Sequence, residues 1–300
     1  MKENNFYQIK INKVLGYINN NLENEISIKK LAKVANFSLF HFQRIYKALQ
    51  NETPYETLLR LRLEKAIFLL IHRDNLKILD IAIICGFSSH ENFSRQFKIR
   101  YKLSPKQYKL DYSNGNSTIH QETRAKKQHT ECNYSKSDFN VTVEHLNAIP
   151  IVYIRGIFGT DGSELIEKYL YLIKWADENN INYQNKLSRF GMSIDNPDVT
   201  PEDKYRYDFA IAEKNKCKVD GLIEKSEIPA GLFATLHCQG DLNHMTNAWN
   251  YLYKKWLPQS KYMPLHFPAI EEFIQGPEQI GWNNFNIKCR IAITKRNTYD

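Results

Sequence analysis

From Ile28 to Tyr108 one pattern is written twice, and a chain that repeats itself over this length folds as like units set side by side. The first copy reads Leu31-Ala32, Ala35, Phe37-Ser38, Phe42, Arg44, Tyr46-Lys47, Pro54; the second reads Ile81-Ala82, Cys85, Phe87-Ser88, Phe93, Arg95, Phe97-Lys98, Pro105. Ser38 and Ser88 are 50 positions apart and Phe42 and Phe93 are 51 apart, so one residue is inserted at the start of one helix. Each copy predicts a helix-turn-helix. Apolar residues at helical spacing (Ile28, Leu31, Ala32, Ala35) are followed by a short turn at small Ala35 or Gly86, and Ser38 and Ser88 then stand as N-caps.

Between the copies, Thr53-Pro54-Tyr55-Glu56 is a capping box with proline at the first helical position. It opens a helix that runs to about His72, with Leu59, Leu63, Ala66, Ile67 and Leu70 in one apolar stripe and Arg60, Arg62, Lys65 and Arg73 pointing elsewhere. At 1.5 Å per residue this helix is roughly 28 Å long, close to one DNA turn of about 34 Å. Ser104-Pro105-Lys106-Gln107 is a second box of the same kind. An opening helix, about Phe6 to Asn20, offers Ile9, Val14, Leu15 and Ile18 for packing onto the first copy.

The outward faces of the two second helices are candidates for reading bases. In the first, Phe42, Ile45, Tyr46 and Leu49 supply the buried side, which leaves Leu39, Phe40, Gln43, Arg44 and Lys47 outside. An aromatic edge for the thymine methyl, an amide for adenine and a guanidinium for guanine make a base-reading set of Phe40, Gln43 and Arg44. In the second, Phe93 and Phe97 are core, and His90, Glu91, Asn92, Ser94 and Arg95 face DNA. Glu91 has two readings: acceptor for a cytosine amino group, or N3 of a capping box Ser88-Ser89-His90-Glu91, the preferred one.

Charge separates the chain into two parts. Residues 1–110 hold 19 Lys and Arg against 9 Asp and Glu, net +10, while residues 111–300 hold 22 against 24, net −2. The whole basic excess thus lies on the duplicated part, as expected for a surface that neutralises phosphates. The run Ile81-Ala82 through Gly86-Phe87-Ser88, Asn92-Phe93-Ser94-Arg95-Gln96-Phe97-Lys98 and Ser104-Pro105-Lys106-Gln107-Tyr108 resembles the signature of the AraC/XylS family of bacterial transcription regulators, over about the first 110 residues. That resemblance implies double-stranded DNA as partner, base contacts at the three matching positions including Phe40, where tryptophan is common, and an activator that works with RNA polymerase.

Residues 111–138 lose periodicity and fill with polar residues, which predicts a linker. Beyond it a fainter repeat occupies residues 141–293. Ile149-Pro150 opens one apolar run and Ile228-Pro229, 79 positions later, opens another. Each leads into a helix, about Glu164 to Glu178 and about Asn243 to Leu257, and then into two strand-like runs: Leu187–Ile194 and Tyr205–Ala212, then His266–Ile274 and Phe285–Ile293. The fold class is therefore multidomain: an all-α N-terminal domain (1–110) with two helix-turn-helix motifs joined by a long helix, then an α+β domain (139–296) of two strand-helix-strand-strand units.

Tyr205-Arg206-Tyr207-Asp208-Phe209, Ile228-Pro229 and Phe267-Pro268-Ala269-Ile270-Glu271-Glu272-Phe273 resemble the gyrase-inhibitor-like (GyrI-like) effector-binding domain. The resemblance implies a groove lined with aromatics around one carboxylate. By position the carboxylate is Glu271, with Glu272 as fallback, and the aromatics come from Tyr153, Tyr169, Trp175, Trp249, Trp256 and Trp282. A buried carboxylate beside aromatic faces suits a small-molecule effector of the lipophilic-cation type. Some domains resembling this one hydrolyse reactive small molecules with a glutamate as base, so Glu271 in a hydrolase is the alternative, and a protein-binding module is a third. A non-enzymatic regulator is the preferred reading.

The five cysteines, Cys85, Cys132, Cys217, Cys238 and Cys289, are scattered and lack a CxxC spacing, which points away from a disulfide framework or a zinc site. His237-Cys238 with His244 reads as strand residues and a surface histidine. Neither metal nor cofactor is expected. No apolar run approaches the ~18 residues of a membrane span, and Met1-Lys2-Glu3-Asn4-Asn5 lacks the apolar stretch of a signal peptide, so a cytoplasmic protein without membrane partners is expected.

Overall fold

The computed structural model of the protein describes residues 2–113, 139–159, 162–183, 189–213, 217–219 and 221–296, with side chains from Phe6 onward. The chain divides into two compact units, Met1–Lys127 and Gln128–Asp300.

The described part of the first unit is helical: α1 (Lys2–Asn20), α2 (Ile28–Ala35), α3 (Leu39–Gln50), α4 (Pro54–His72), α5 (Ile78–Ile84), α6 (His90–Tyr101) and α7 (Pro105–Ser113). Helices α2–α3 and α5–α6 are the two helix-turn-helix copies. Ile11, Val14, Leu15 and Ile18 of α1 pack with Leu31, Ala32, Ala35, Phe42 and Tyr46. In the second copy Phe87, Phe93 and Phe97 form a chain of ring contacts that ends on Tyr101 and Tyr108, tilted at Phe87–Phe93 and Phe97–Tyr101 and edge-on at Phe93–Phe97 and Phe97–Tyr108. Helix α7 runs to Ser113, three residues into the expected linker; the rest of that linker, 114–138, lies outside the described residues.

Turns and caps differ from expectation at three places, and the insertion explains the one at α6. The left-handed turn residue of the first copy is Asn36 (φ 58°), not Ala35, which is the last residue of α2 and fully buried. Its equivalent in the second copy is Gly86 (φ 77°), and Asn and Gly are the residues that adopt this conformation at least cost. A Cβ on Gly86 would lie 2.3 Å from the Leu22 carbonyl oxygen and 2.7 Å from Arg62 Nη2. The Arg62 guanidinium itself donates to Leu22 O at 2.9 Å and Asn24 O at 2.7 Å, so it ties the α1–α2 loop to α4 beside the second turn. Ser38 sits at the cap of α3 without a side-chain capping bond. The extra residue of the second copy is absorbed at the cap of α6, which is Ser89 rather than Ser88; its hydroxyl accepts from the Asn92 amide at 3.1 Å. The Thr53–Glu56 box closes in both directions, at 2.6 and 3.2 Å.

Helix α4 is buried on more than the one stripe expected, because it serves as floor for both copies. Leu58 and Leu61 join the first core. On its other sides Leu63, Ala66, Ile67, Leu69 and Leu70 are buried as well. Arg60, only 4% exposed, is enclosed there and pairs with Glu52 at 2.7 Å and Glu64 at 3.3 Å. Among the described residues no helix is long and apolar enough to cross a membrane.

The second unit is one antiparallel sheet with helices on one face. Its strands are β1 (Val141–Leu146), β2 (Ile149–Ile157), β3 (Arg189–Ser193), β4 (Arg206–Ala212), β5 (Ile223–Ile228), β6 (Gly231–Asp241), β7 (Tyr262–Pro264), β8 (Ala269–Gln275) and β9 (Asn284–Lys295). Helix α8 (Ser163–Glu178) follows β2, α9 (Leu242–Tyr251) follows β6 and continues through a π-helical turn to Gln259, and short α10 (Pro277–Ile280) joins β8 to β9. The order across the sheet is β1-β6-β9-β8-β3-β4-β2-β5, with β7 added to β9. Strands β1, β5 and β7 are additional to the expected ones.

Alternation along these strands makes two distinct faces. On one, Val152, Ile154, Phe209, Leu236, Cys289 and Phe273 pack with Tyr169, Leu172 and Ala176 of α8, Ala248 of α9 and Leu252 of the π-helical turn that follows it. On the other lie Ile151, Phe190, Met192, Ala210, Ile270 and Ala292. This second face also carries Arg155, which grips Asp208 with two bonds of 2.7 Å, and Arg290, which pairs with Glu272, Glu144 and the Thr235 hydroxyl.

Candidate functional site

In the first unit the structure sets Phe40, Gln43, Arg44 and Lys47 on one exposed face of α3, with Phe40 85% exposed. A large apolar ring at that exposure covers no core, which is why it is read as a contact residue. Lys47 approaches Asn51 O at 3.4 Å and Glu56 at 3.8 Å; Leu39 is half-buried against the first core. On α6, Glu91 and Arg95 are exposed and His90 and Asn92 half-buried. Arg95 donates to Asn92 Oδ1 at 3.3 Å, and His90 meets Ser94 at 3.4 Å.

Because Ser89 is the cap, Glu91 is the second helical residue and not the reciprocal partner of Ser88. It remains a first-turn carboxylate, held below the usual carboxylate range by its own backbone amide and then by the Ser89 hydroxyl. Glu91→Gln is expected to leave thermal stability nearly unchanged. A marked fall in melting temperature would show that the first-turn charge matters more to α6 than its full exposure allows.

In the second unit one cross-strand row on the helix-covered face runs Ile154–Phe209–Gly191–Glu271–Cys289–Leu236. Glu271 lies at its centre, 9% exposed. Tyr207 of β4 donates its hydroxyl to Glu271 Oε2 at 2.5 Å, and Trp249 of α9 donates its indole N–H to Oε1 at 3.2 Å. No cation pairs with Glu271 among the described residues. Burial pushes its carboxyl above the usual range, and the two neutral donors pull it part of the way back.

A chain of aromatic contacts leads outward from this carboxyl. Tyr207 meets Phe209 edge-on at 4.9 Å, Phe209 meets Tyr169 at 5.1 Å, and Tyr169 meets half-exposed Trp282 at 5.3 Å. On the other side Trp249 stacks on Tyr253 at 6.0 Å. The Tyr169 hydroxyl donates to Glu278 of α10, which also pairs with Arg189. Of the expected aromatics, Trp249, Tyr169 and Trp282 belong to this chain.

The others do not. Tyr153 lies in the row Tyr153–Ala210–Phe190–Glu272–Lys288, on the opposite face of the sheet, and its hydroxyl donates to Glu224 at 3.0 Å. Trp175 is a 7% exposed core residue of α8, and Trp256 stacks on Tyr262 at 6.1 Å. Glu272, the fallback carboxylate, already has Arg290 Nε at 2.8 Å and Lys288 at 3.5 Å. Tyr207 and Phe209 join this chain without standing among the expected aromatics, although the alternation Tyr205-x-Tyr207-x-Phe209 puts them on one face in the sequence itself.

His237 contacts Asn286 at 2.9 Å on the exposed side of β6, while Cys238 is buried on the other. Among the described residues no group of three or more His, Cys, Asp or Glu is gathered so as to hold a metal ion.

Comparison with known proteins gives two matches to family models: a GyrI-like small molecule binding domain over residues 139–294 and a helix-turn-helix domain over residues 31–110. The chain is 34% identical over 103 residues to the "Probable transcriptional regulator LumQ" of Photobacterium leiognathi, a match that covers 34% of this chain and 41% of LumQ. It is 35% identical over 101 residues to the "Probable transcription factor PqrA" of Proteus vulgaris, covering 33% of this chain and 82% of PqrA. The solved C-terminal domain of EcmrR aligns at 17% identity with a TM-score of 0.41, over 53% of this chain and 99% of that one.

Proposed function

Since the chain belongs to the AraC/XylS family of transcription regulators and carries a GyrI-like small-molecule-binding domain, we propose that it is a cytoplasmic one-component activator, switched by a lipophilic cation that binds at Glu271. In this reading residues 1–110 bind double-stranded DNA, 111–138 link, and 139–296 bind the effector, with two strand-helix-strand-strand units supplying the two sides of the pocket. RNA polymerase is the partner that activation calls for. The observation that carries the effector assignment is the uncompensated Glu271 carboxyl beneath Tyr207 and Trp249. A cation stacked on those rings would restore the charge balance that the fold leaves open.

The proposed DNA contacts are Phe40, Gln43, Arg44 and Lys47 from α3, and His90, Glu91, Asn92 and Arg95 from α6. The test is binding of duplex DNA by the full chain and by a fragment ending at Ser113, over a range of salt. Both are expected to bind, with log affinity falling steeply against log salt, because the net +10 of residues 1–110 contacts phosphate. A folded fragment that binds no duplex at low salt would refute the assignment. A thermal-shift assay with lipophilic cations, run beside a search for hydrolysis products, tests the second unit; turnover of the ligand would favour the hydrolase reading.

Arg44→Ala is expected to lower discrimination at particular base pairs by about 1–3 kcal/mol, whereas Lys47→Ala weakens all sequences alike. Binding of a randomised duplex library to both variants separates the two effects. Equal, sequence-independent losses would mean that Arg44 holds phosphate only.

A further inference from the structure

Gly191 stands between Phe209 and Glu271 in the central cross-strand row. Its backbone has ordinary strand geometry: φ is positive at Gly86, Gly159, Gly162, Gly221, Gly240 and Gly281, but not here. Conformation therefore gives no reason for glycine at this position, and space does. A Cβ at residue 191 would lie 1.7 Å from the Tyr207 hydroxyl oxygen, 2.5 Å from Cζ and 3.0 Å from Cε1. The Tyr207 ring starts on β4, opposite Ser193 of β3. It crosses the bare backbone of β3 and reaches Glu271 on β8, two strands away, with a hydrogen bond of 2.5 Å.

We infer that Gly191 is a positioning residue for Glu271: by leaving the floor of the sheet empty it lets the Tyr207 phenol lie flat across β3 and supply one of the two donors that hold the carboxylate. The inference rests on the reading of Glu271 as the effector-binding carboxylate, and adds how that carboxylate is kept ready. The groups around it are Tyr205, just before β4, Tyr207 from β4, Cys238 from β6, Cys289 from β9 and Trp249 from α9, with Tyr253 beyond Tyr205 and Cys289. None of them is a cation. The ionised form thus leans on two neutral N–H and O–H donors, and burial opposes it. Any side chain at residue 191 displaces the ring and removes one donor, so a single methyl group on β3 would change the charge state of a residue on β8.

Carboxyl carbon NMR on the full chain labelled at glutamate reads this directly, with the Glu271 resonance assigned by its absence in Glu271→Gln. Tyr207→Phe and Gly191→Ala are each expected to move the Glu271 midpoint to higher pH, since each removes a donor to the charged form. Adding Gly191→Ala to Tyr207→Leu is expected to move it no further, because leucine leaves no atoms where the new Cβ falls. A midpoint that stays in place in Tyr207→Phe, or a Gly191→Ala shift of equal size on the Tyr207→Leu background, would overturn the inference. If Gly191→Ala alone does not fold, recovery of folding in the Gly191→Ala/Tyr207→Leu double variant supports it, and failure of both counts against it. Tetraphenylphosphonium added to the same samples tests the effector separately: a Glu271 resonance untouched by the cation refutes the effector reading, while the midpoints still decide the role of Gly191.

Discussion

Replacement of Arg290 by alanine is expected to destabilise the second unit by about 3–5 kcal/mol, the range found when one partner of a buried ion pair is removed. The side chain of Arg290 is 2% exposed and that of Glu272 is 4% exposed. Arg290 Nε donates to Glu272 Oε2 at 2.8 Å, Nη1 donates to the Thr235 hydroxyl at 2.9 Å, and Nη1 also meets Glu144 from β1. Loss of the guanidinium leaves Glu272 buried with only Lys288, at 3.5 Å, to compensate it. It also cuts the side-chain tie between β8 and the edge strand β1, which otherwise depends on its ladder with β6. All four tryptophans, Trp175, Trp249, Trp256 and Trp282, lie in residues 139–296, so their fluorescence during urea unfolding reports on this unit alone. The double variant Arg290→Met/Glu272→Met is expected to recover much of the loss, since it removes the stranded charge along with its partner. A loss below about 1 kcal/mol for Arg290→Ala would show that water or Lys288 already compensates Glu272.

The helical half was legible because two independent signals agree there: a 3.6-residue apolar period, and the duplication that fixes which turn matches which. What escaped was local competition. Ser88 and Ser89 are equally able to cap α6, and only the packing of the inserted residue decides between them. The single stripe read on α4 was too narrow, since a helix that carries a motif on each side must be apolar around most of its girth.

In the sheet, the strands that were read are interior ones with strong apolar runs. Strands β1 and β5 close the two edges. With one side of the ladder open they alternate with polar residues, as in Val141-Thr142-Val143-Glu144-His145-Leu146, and their signal is correspondingly weak. Parity within one strand was also readable: Glu271 shares a face with Phe273, and Tyr207 with Phe209. Parity between strands was not, because register is set by pairing that the sequence does not display. Hence sequence alone sets Tyr153 beside Glu271, whereas β2 pairs so as to place it in the row of Glu272.

Glu271→Gln is the substitution expected to act most strongly on ligand binding. In the wild type a permanent cation such as tetraphenylphosphonium would meet an ionised carboxyl among Tyr207, Trp249, Phe209 and Tyr169; the variant keeps the shape and removes the charge, so affinity should fall on the order of a hundredfold. Neutral triphenylphosphine oxide should bind both proteins alike. The apo fold is expected to tolerate the change: a buried charge is gone, although the amide accepts from one of Tyr207 and Trp249 less well than the carboxylate did. The sign of the pH dependence follows from burial. The Glu271 carboxyl is raised above its unfolded value, so the folded state keeps its proton longer. Its contribution to stability is complete below the unfolded pKa and is lost as pH rises through the folded one. Glu271→Gln should abolish that fall, and a cation should offset it in the wild type by pairing with the charged form. Calorimetry with the cation and the neutral compound, at several pH values on both proteins, measures all of this. Equal affinity of the two proteins for the cation, or no preference of the wild type for cation over neutral compound, would remove Glu271 from the effector site and leave an uncharged ligand as the remaining reading of the second unit.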